Sequence, residues 1–309
     1  MVSSTPKGQH DLRPPFTRDP VSWKPRVRAV GRRVDRDAYK DAQRRGWSNA
    51  AIGWRRWWDK LEADVVTERL LELAEVRPGA HVLDIATGIG EPALTAAAKV
   101  GSEGLVLATD ISPAMLAIAR ERAAEQGLRN VEFLEIDAEE LDYEERFDVV
   151  LSRFGLMFLP DVDQALRRIR RALVSGGRFA ASLWPRSPFF SRAVAVTRRQ
   201  LGLPEDEPTI RTGSVPDDRR GLEAVLGDAG FVDVRSEIIE LATPFASSDE
   251  YVEYLRDTSV TINNMLWEQS VDRRSDVWKA IRTAMAAEPR PAGSFVEHVD
   301  ALTVAGRRR

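Results

Sequence analysis

The chain has 309 residues, 43% of them hydrophobic, and a net charge of −3, which suffices for one large domain or one domain with an appendage. The absence of cysteine excludes disulfides, thiolate metal sites and cysteine nucleophiles. Three histidines argue against a His-rich metal centre, and the overall charge leaves no nucleic-acid footprint. No apolar run reaches the roughly 20 residues needed to cross a bilayer and the start carries no apolar signal core, so the chain is expected to be soluble and cytoplasmic.

Residues 1–45 read as a basic extension. Pro6, Pro14, Pro15, Pro20 and Pro25 break any early helix, and twelve Lys and Arg stand against five Asp. Such a segment is a solvated tail, an arm laid on a second subunit of a homo-oligomer, or an electrostatic arm for RNA or an anionic substrate. Its few aromatic residues disfavour the RNA reading. Next comes a cluster of Trp47, Trp54, Trp57 and Trp58, with Arg55 and Arg56 between them. On a helix Trp54 shares a face with Trp57 and Trp58, to pack that helix onto the domain or to cover a ligand. The spacing of Leu61, Val65, Val66, Leu70, Leu71 and Leu73 predicts an amphipathic helix over 61–76, ended by Arg77-Pro78-Gly79.

The run 82–85 is apolar enough for a strand buried on both faces. It breaks into the turn Ala86-Thr87-Gly88-Ile89-Gly90, and 92–100 reads as a helix with Pro92 in its first turn. A strand over 105–109 ends in Asp110, 20 residues after Gly90, where a carboxylate can accept both ribose hydroxyls of an adenosine-containing cofactor. A helix over 112–126 starts on Ser112-Pro113 and stops at Gly127. The strand 131–136 ends in Asp137-Ala138, an acidic tip suited to the exocyclic amine of an adenine. The strand 147–152, a helix over 161–174 and a strand over 178–184 follow, and the alternation predicts a parallel, doubly wound α/β sheet. Beyond it the pattern predicts helices over 188–201, 222–229, 248–263 and 271–287 and strands over 231–241 and 301–305. The turn alone also fits the G-x-G-x-x-A dinucleotide pattern, which keeps an NAD(P)-dependent oxidoreductase open, although no Tyr-x-x-x-Lys pair follows.

Six segments in this order resemble the class I S-adenosylmethionine-dependent methyltransferases, most of all small-molecule members of the ubiquinone/menaquinone-biosynthesis type. They are 82–90, 108–116, 136–139, 147–150, 153–158 and 173–179, with Ala86 where many members have glycine. The resemblance implies a Rossmann-like, seven-stranded sheet, mostly parallel and closed by an antiparallel C-terminal strand, with 46–76 as lid helices, 77–309 as the methyltransferase domain and helical cap insertions near 185–220 and 247–289. It implies S-adenosyl-L-methionine as cofactor. Asp84 would hold its methionine end, Thr87, Gly88 and Gly90 would approach it with backbone atoms beside Ala86, and Asp110, Asp137 and Ala138 would take the adenosine. Ile111 and Met115 are adenine walls or core.

Arg153, counted with the donor-binding residues, and Phe154 lie where this fold presents the acceptor. Arg153 would meet an acceptor carboxylate or phosphate, or bridge to Asp161 or Asp163. Trp54, Trp57, Trp58, Met157 and Phe158 are the acceptor-side candidates, for an apolar or aromatic small molecule. His81 lies at the wrong end of its strand for catalysis, His298 has no assigned place, and no other side chain stands out as a base. The expected reaction is methyl transfer driven mainly by proximity and desolvation. Nucleic acid is disfavoured as a partner, and an RNA methyltransferase using the basic arm is the second alternative.

Overall fold

Val82, Leu83 and Ile85 give β1 (His81–Ile85) no solvent-facing side, and four of its five residues are buried. It pairs in parallel with β2 (Leu105–Asp110) on one side and β4 (Phe147–Arg153) on the other. β3 (Val131–Glu135) lies outside β2, and β5 (Leu173–Leu183) outside β4. The sheet has seven strands in the order β3-β2-β1-β4-β5-β7-β6, with β7 (Phe295–Arg308) antiparallel to both β5 and β6 (Phe231–Phe245). The winding reverses between β1 and β4, which opens a crevice at their carboxyl ends. The computed structural model describes residues 35–61, 64–184, 187–204, 215–216, 218–288 and 295–309.

The crossover helices start where local chemistry starts them. Ser112 caps α4 (Pro113–Glu125) by accepting from the Met115 amide, with Pro113 in the first turn. Asp161 caps α5 (Val162–Ala172) through the Gln164 amide. α3 (Ala93–Val100) follows the turn after β1, and α2 (Asp64–Leu73) packs across β4, β5 and β7.

A second core lies beyond the sheet. α6 (Pro188–Leu201), α8 (Ser248–Thr258), α9 (Val260–Leu266) and α10 (Val271–Ala286) bury Val194, Leu255, Ile262, Ile281 and Met285 against Phe245 and Phe295 at the far ends of β6 and β7. These strands therefore run past the expected 231–241 and 301–305. Their extra residues pair with each other, from Leu241 with Val299 to Phe245 with Phe295. Pro244, Glu297 and His298 give that stretch no strand-like pattern of its own, so the pairing partner supplies it. The expected helix over 248–263 is two helices, because Ser259 leaves helical geometry and caps α9 through the Ile262 amide. α7 (Arg219–Asp228) packs against β6.

α1 spans Arg36–Trp57 and so begins inside the stretch read as an extension. Its buried face carries Tyr39, Gln43, Gly46 and Ala50, a helical repeat that its charged residues hide. Residues 1–34 of the basic segment lie outside the described residues. α1 crosses the second core at two glycines. A Cβ on Gly46 would stand 2.6 Å from Val260 Cγ1, and one on Gly53 would collide with the Asp257 carbonyl. Gly53→Ala is expected to lower stability by about 1–3 kcal/mol, as overpacking against backbone does, where a helix-propensity gain alone would raise it. Denaturant unfolding of the two proteins distinguishes these signs.

Candidate functional site

β1 ends in a bend that few residues tolerate. Ala86 has φ 57°, Gly88 φ 56° and Gly90 φ 114°, all in the left-handed region that favours glycine. Ala86 adopts it at some cost and is accommodated by Gly155, where a Cβ would lie 2.6 Å from that of Ala86. A Cβ on Gly90 would press on Leu94, whereas one on Gly88 would meet nothing within 4 Å. Gly88 thus presents bare backbone to open space. Hydroxyls from the neighbouring strands pin the strand end, with Thr109 Oγ1 donating to the Asp84 carbonyl and Ser152 Oγ to that of Ile85, each at 3.0 Å.

Two carboxylates face this bend from different depths. Asp110, at the end of β2, accepts from the Gly88 amide through Oδ2 and from the Ser112 amide through Oδ1, both at 2.8 Å. Burial pushes its pKa up to about 6 against the pull of those amides. Asp84 lies wholly buried in β1. Its Oδ2 accepts from the Ala93 amide at 3.2 Å, at the start of α3. Its Oδ1 and the Thr87 hydroxyl have no hydrogen-bond partner of ordinary geometry. Burial raises the Asp84 pKa to about 8, and Thr87 and the Arg153 charge only partly counter it.

A cavity of about 1020 Å³, its open mouth included, runs from this bend under α1. At one end it is lined by Ala86, Thr87, Gly88, Asp110, Ile111, Met115, Asp137 and Ala138. The other end is walled by rings, those of Trp47, Trp54, Trp58, Phe154, Phe158 and Trp184. Phe154, held at φ 59°, stacks on Trp184 at 4.1 Å, and Trp184 lies nearly parallel to Trp54 at 6.2 Å. The Trp58 ring has the guanidinium of Arg153 at 4.6 Å and that of Arg122 at 4.7 Å from its centroid, within cation–π range.

The predicted residues divide. Trp54, Trp58, Phe154, Phe158 and Arg153 are on the wall, with Ala86, Thr87, Gly88, Asp110, Ile111, Met115, Asp137 and Ala138. Asp84 and Gly90 stand behind it, shaping the bend. Trp57 is not at the cavity: one residue along the helix turns it into the second core, where its Nε1 donates to Asp257. Met157 is likewise buried away from the wall, while Phe158 in the same short turn reaches it. Asp137 is already engaged, pairing with Lys40 Nζ at 2.6 Å, and Lys40 also pairs with Glu139 at 2.8 Å. Arg153, half-buried at the end of β4, donates to Thr67 Oγ1 at 3.2 Å, and the desolvation of its guanidinium lowers its pKa to about 10. Asp161 pairs with Arg36. His81 is placed at the start of β1 and His298 in β7, paired with Ala242.

Sequence reasoning missed Tyr39, Lys40 and Gln43, whose signal is the helical repeat running on to Trp47 and Trp54. It also missed Trp184, which ends β5 as Arg153 ends β4, and Gly155, which has no local signature.

Comparison with known proteins agrees with this geometry. The family described as Methyltransferase domain matches residues 77–196. The chain is 41% identical over 127 residues to aklanonic acid methyltransferase DauC of Streptomyces sp. (strain C5), covering 40% of this chain and 58% of that protein. It is 41% identical over 128 residues to ubiquinone/menaquinone biosynthesis C-methyltransferase UbiE of Ectopseudomonas oleovorans, covering 41% of this chain and 71% of that one. Across most of the curated relatives it matches, the chain spans about half of their length. A Haemonchus contortus phosphoethanolamine N-methyltransferase, crystallised with phosphomonomethylethanolamine and S-adenosylhomocysteine, shares the fold at a TM-score of 0.54 and 20% identity, over 88% of this chain and 60% of that one. The chain belongs to the class I S-adenosylmethionine-dependent methyltransferases, which sets aside the oxidoreductase reading of the glycine bend. The residues present fit the family's donor: an exposed backbone bend, a carboxylate beside it at the end of β2, and the buried Asp84 carboxylate with the Thr87 hydroxyl turned to it.

The raised carboxylates give a stability signature. From about pH 4 the folded state keeps a proton that the unfolded chain releases, up to about pH 6 on Asp110 and about pH 8 on Asp84, so stability falls as pH rises through that window. Asp84→Asn keeps the shape without the ionisation. It is expected to recover on the order of 1–3 kcal/mol at pH 8 and to flatten the decline in thermal unfolding curves. An Asn variant less stable than wild type at pH 8 contradicts that account.

Proposed function

We propose that this protein transfers a methyl group from S-adenosylmethionine to a small, apolar or aromatic acceptor. The observation that carries the reading is a single cavity with the backbone bend and Asp110 at one end and the ring-lined wall at the other. Asp110 would take the ribose hydroxyls, the close-lying backbone of the bend at Gly88 the amino-acid portion, and Ile111 and Met115 the faces of the adenine. The buried Asp84 would act from behind the bend. Asp137 would meet the adenine amine in competition with Lys40. The donor's chemistry is an electrophilic methyl on a sulfonium, which needs in-line approach of a nucleophile and no further activation.

The chain's own contribution is then positioning and dryness. Rings on several sides exclude water from the acceptor end and hold a flat molecule against the donor end, where proximity alone can remove roughly 7–11 kcal/mol of barrier. Apart from Asp110, the titratable groups on the wall are engaged among the described residues. Tyr39 donates to the Phe158 carbonyl, Lys40 pairs with Asp137 and Glu139, and Glu91 accepts from Thr95 and Arg122. Arg153 stacks on the Trp58 ring and donates to Thr67. Among the described residues no side chain is left free as a base for the acceptor's proton, which suits acceptors that ionise readily in solution. The relatives named for aklanonic acid and for ubiquinone/menaquinone biosynthesis support a small-molecule acceptor.

S-adenosylhomocysteine is expected to raise the melting temperature and NADH to leave it unchanged. Isotope-labelled S-adenosylmethionine incubated with the protein and a cell extract should yield a product one methylene heavier by mass spectrometry. The reverse ligand preference would defeat the proposal. Asp110→Ala is expected to weaken S-adenosylhomocysteine binding by about ten- to a hundredfold in calorimetry, the loss of a buried charge-assisted hydrogen bond.

A further inference from the structure

Two acidic strand ends line the same end of the cavity, and they are held in different ways. Asp110 accepts from the backbone amides of Gly88 and Ser112. Asp137 has a cation in front of it. Its Oδ1 accepts from the Glu139 amide at 2.8 Å, and its Oδ2 takes Lys40 Nζ at 2.6 Å. The same ammonium reaches Glu139 Oε2 at 2.8 Å, and the Asp161 amide fixes Glu139 through its other oxygen. Lys40 lines the cavity beside Asp137 and keeps 19% of its side-chain surface exposed, so a guest can reach the pair. Burial alone would lower the Lys40 pKa, but its bonds to the two carboxylates raise it, and the cation persists. The same end of α1 is also held by Tyr39, which donates to the Phe158 carbonyl, and by Arg36, which pairs with Asp161. An ammonium bonds a carboxylate more strongly than a neutral amine does. An amino group arriving at Asp137 therefore meets a stronger rival. Lysine carries donors and no acceptor, so it opposes that amino group yet can serve an oxygen in the same place.

We propose that Lys40 is a specificity-determining residue of the donor end, competing with the 6-amino group of a bound purine nucleoside for Asp137 and offering its own N–H to a 6-oxo group in that position. This rests on the methyl-transfer reading above, in which Asp137 meets the adenine. Affinity for the donor and for its demethylated product is then held below what Asp137 alone would give. The penalty falls on the amino group and spares the rest of the ligand.

The test titrates two ligands that differ only at this position, S-adenosylhomocysteine and its 6-oxo counterpart S-inosylhomocysteine, into wild type, Lys40→Met and Lys40→Arg by calorimetry. The titrations are run at about pH 8.5, so that neither Asp137 nor Glu139 regains a proton when the ammonium is removed. Lys40→Met is expected to tighten S-adenosylhomocysteine and weaken S-inosylhomocysteine, moving the ratio of their affinities by about tenfold, the value of one hydrogen bond. Lys40→Arg keeps a cation and should stay within about threefold of the wild-type ratio. A loss of packing alone weakens both ligands alike and leaves the ratio where it was. An unchanged ratio in Lys40→Met, a shift toward the 6-oxo ligand, or a Lys40→Arg ratio equal to that of Lys40→Met overturns the assignment. The wild-type titration separates the two readings: no binding of S-adenosylhomocysteine defeats methyl transfer and this proposal with it, whereas binding with an unchanged ratio defeats only the role of Lys40.

Discussion

The hydrogen bond from the Gly88 amide to the Asp110 carboxylate ties the end of β1 to the end of β2, and the candidate site depends on it. It holds a bend whose backbone angles are left-handed at Ala86, Gly88 and Gly90. Turned this way, the chain sends the first amides of α3 back onto Asp84 and exposes the backbone of Gly88 to the cavity. Asp110 is desolvated by the same arrangement, which is why its pKa rises despite its two amide partners. Gly155 belongs to this constraint although it lies far away in sequence, because only a residue without a side chain leaves room for Ala86.

The second constraint is the close approach of α1 to the helices of the cap. Gly46 and Gly53 let it settle against α9 and α8, and ion pairs of Arg56 with Asp257 and Lys60 with Glu250 line the same seam. These partly exposed pairs add little individually; the packing sets the position. With α1 held there, Tyr39, Lys40, Trp47 and Trp54 form the roof of the cavity, and Trp58 is clamped by two guanidiniums beneath it.

The sheet from β1 to β5 was readable because most of its strands are local apolar runs followed by a helix, two of them capped at Ser112 and Asp161. The acidic tips were readable for the same reason. What escaped was decided by partners distant in sequence. The ends of β6 and β7 are strands only because each pairs with the other beneath the cap. The first half of α1 is a helix whose buried face is spread thinly among charges. Trp57 and Trp58 differ by one residue and face different cores, a distinction that helical spacing blurs and only the docked helix resolves. Ser259 shows the reverse case, a cap residue inside an otherwise continuous amphipathic pattern.

Because Trp54 and Trp57 sit on one rigid helix, the shape of the pocket is geared to the packing of a region that never touches its contents. A bulkier side chain at the α8 or α9 crossing would tilt the whole roof and shift Trp47 and Trp54 together. The ring-lined end of the cavity can therefore be reshaped from the outside, by substitutions at the helical seam, with the glycine bend left as it is.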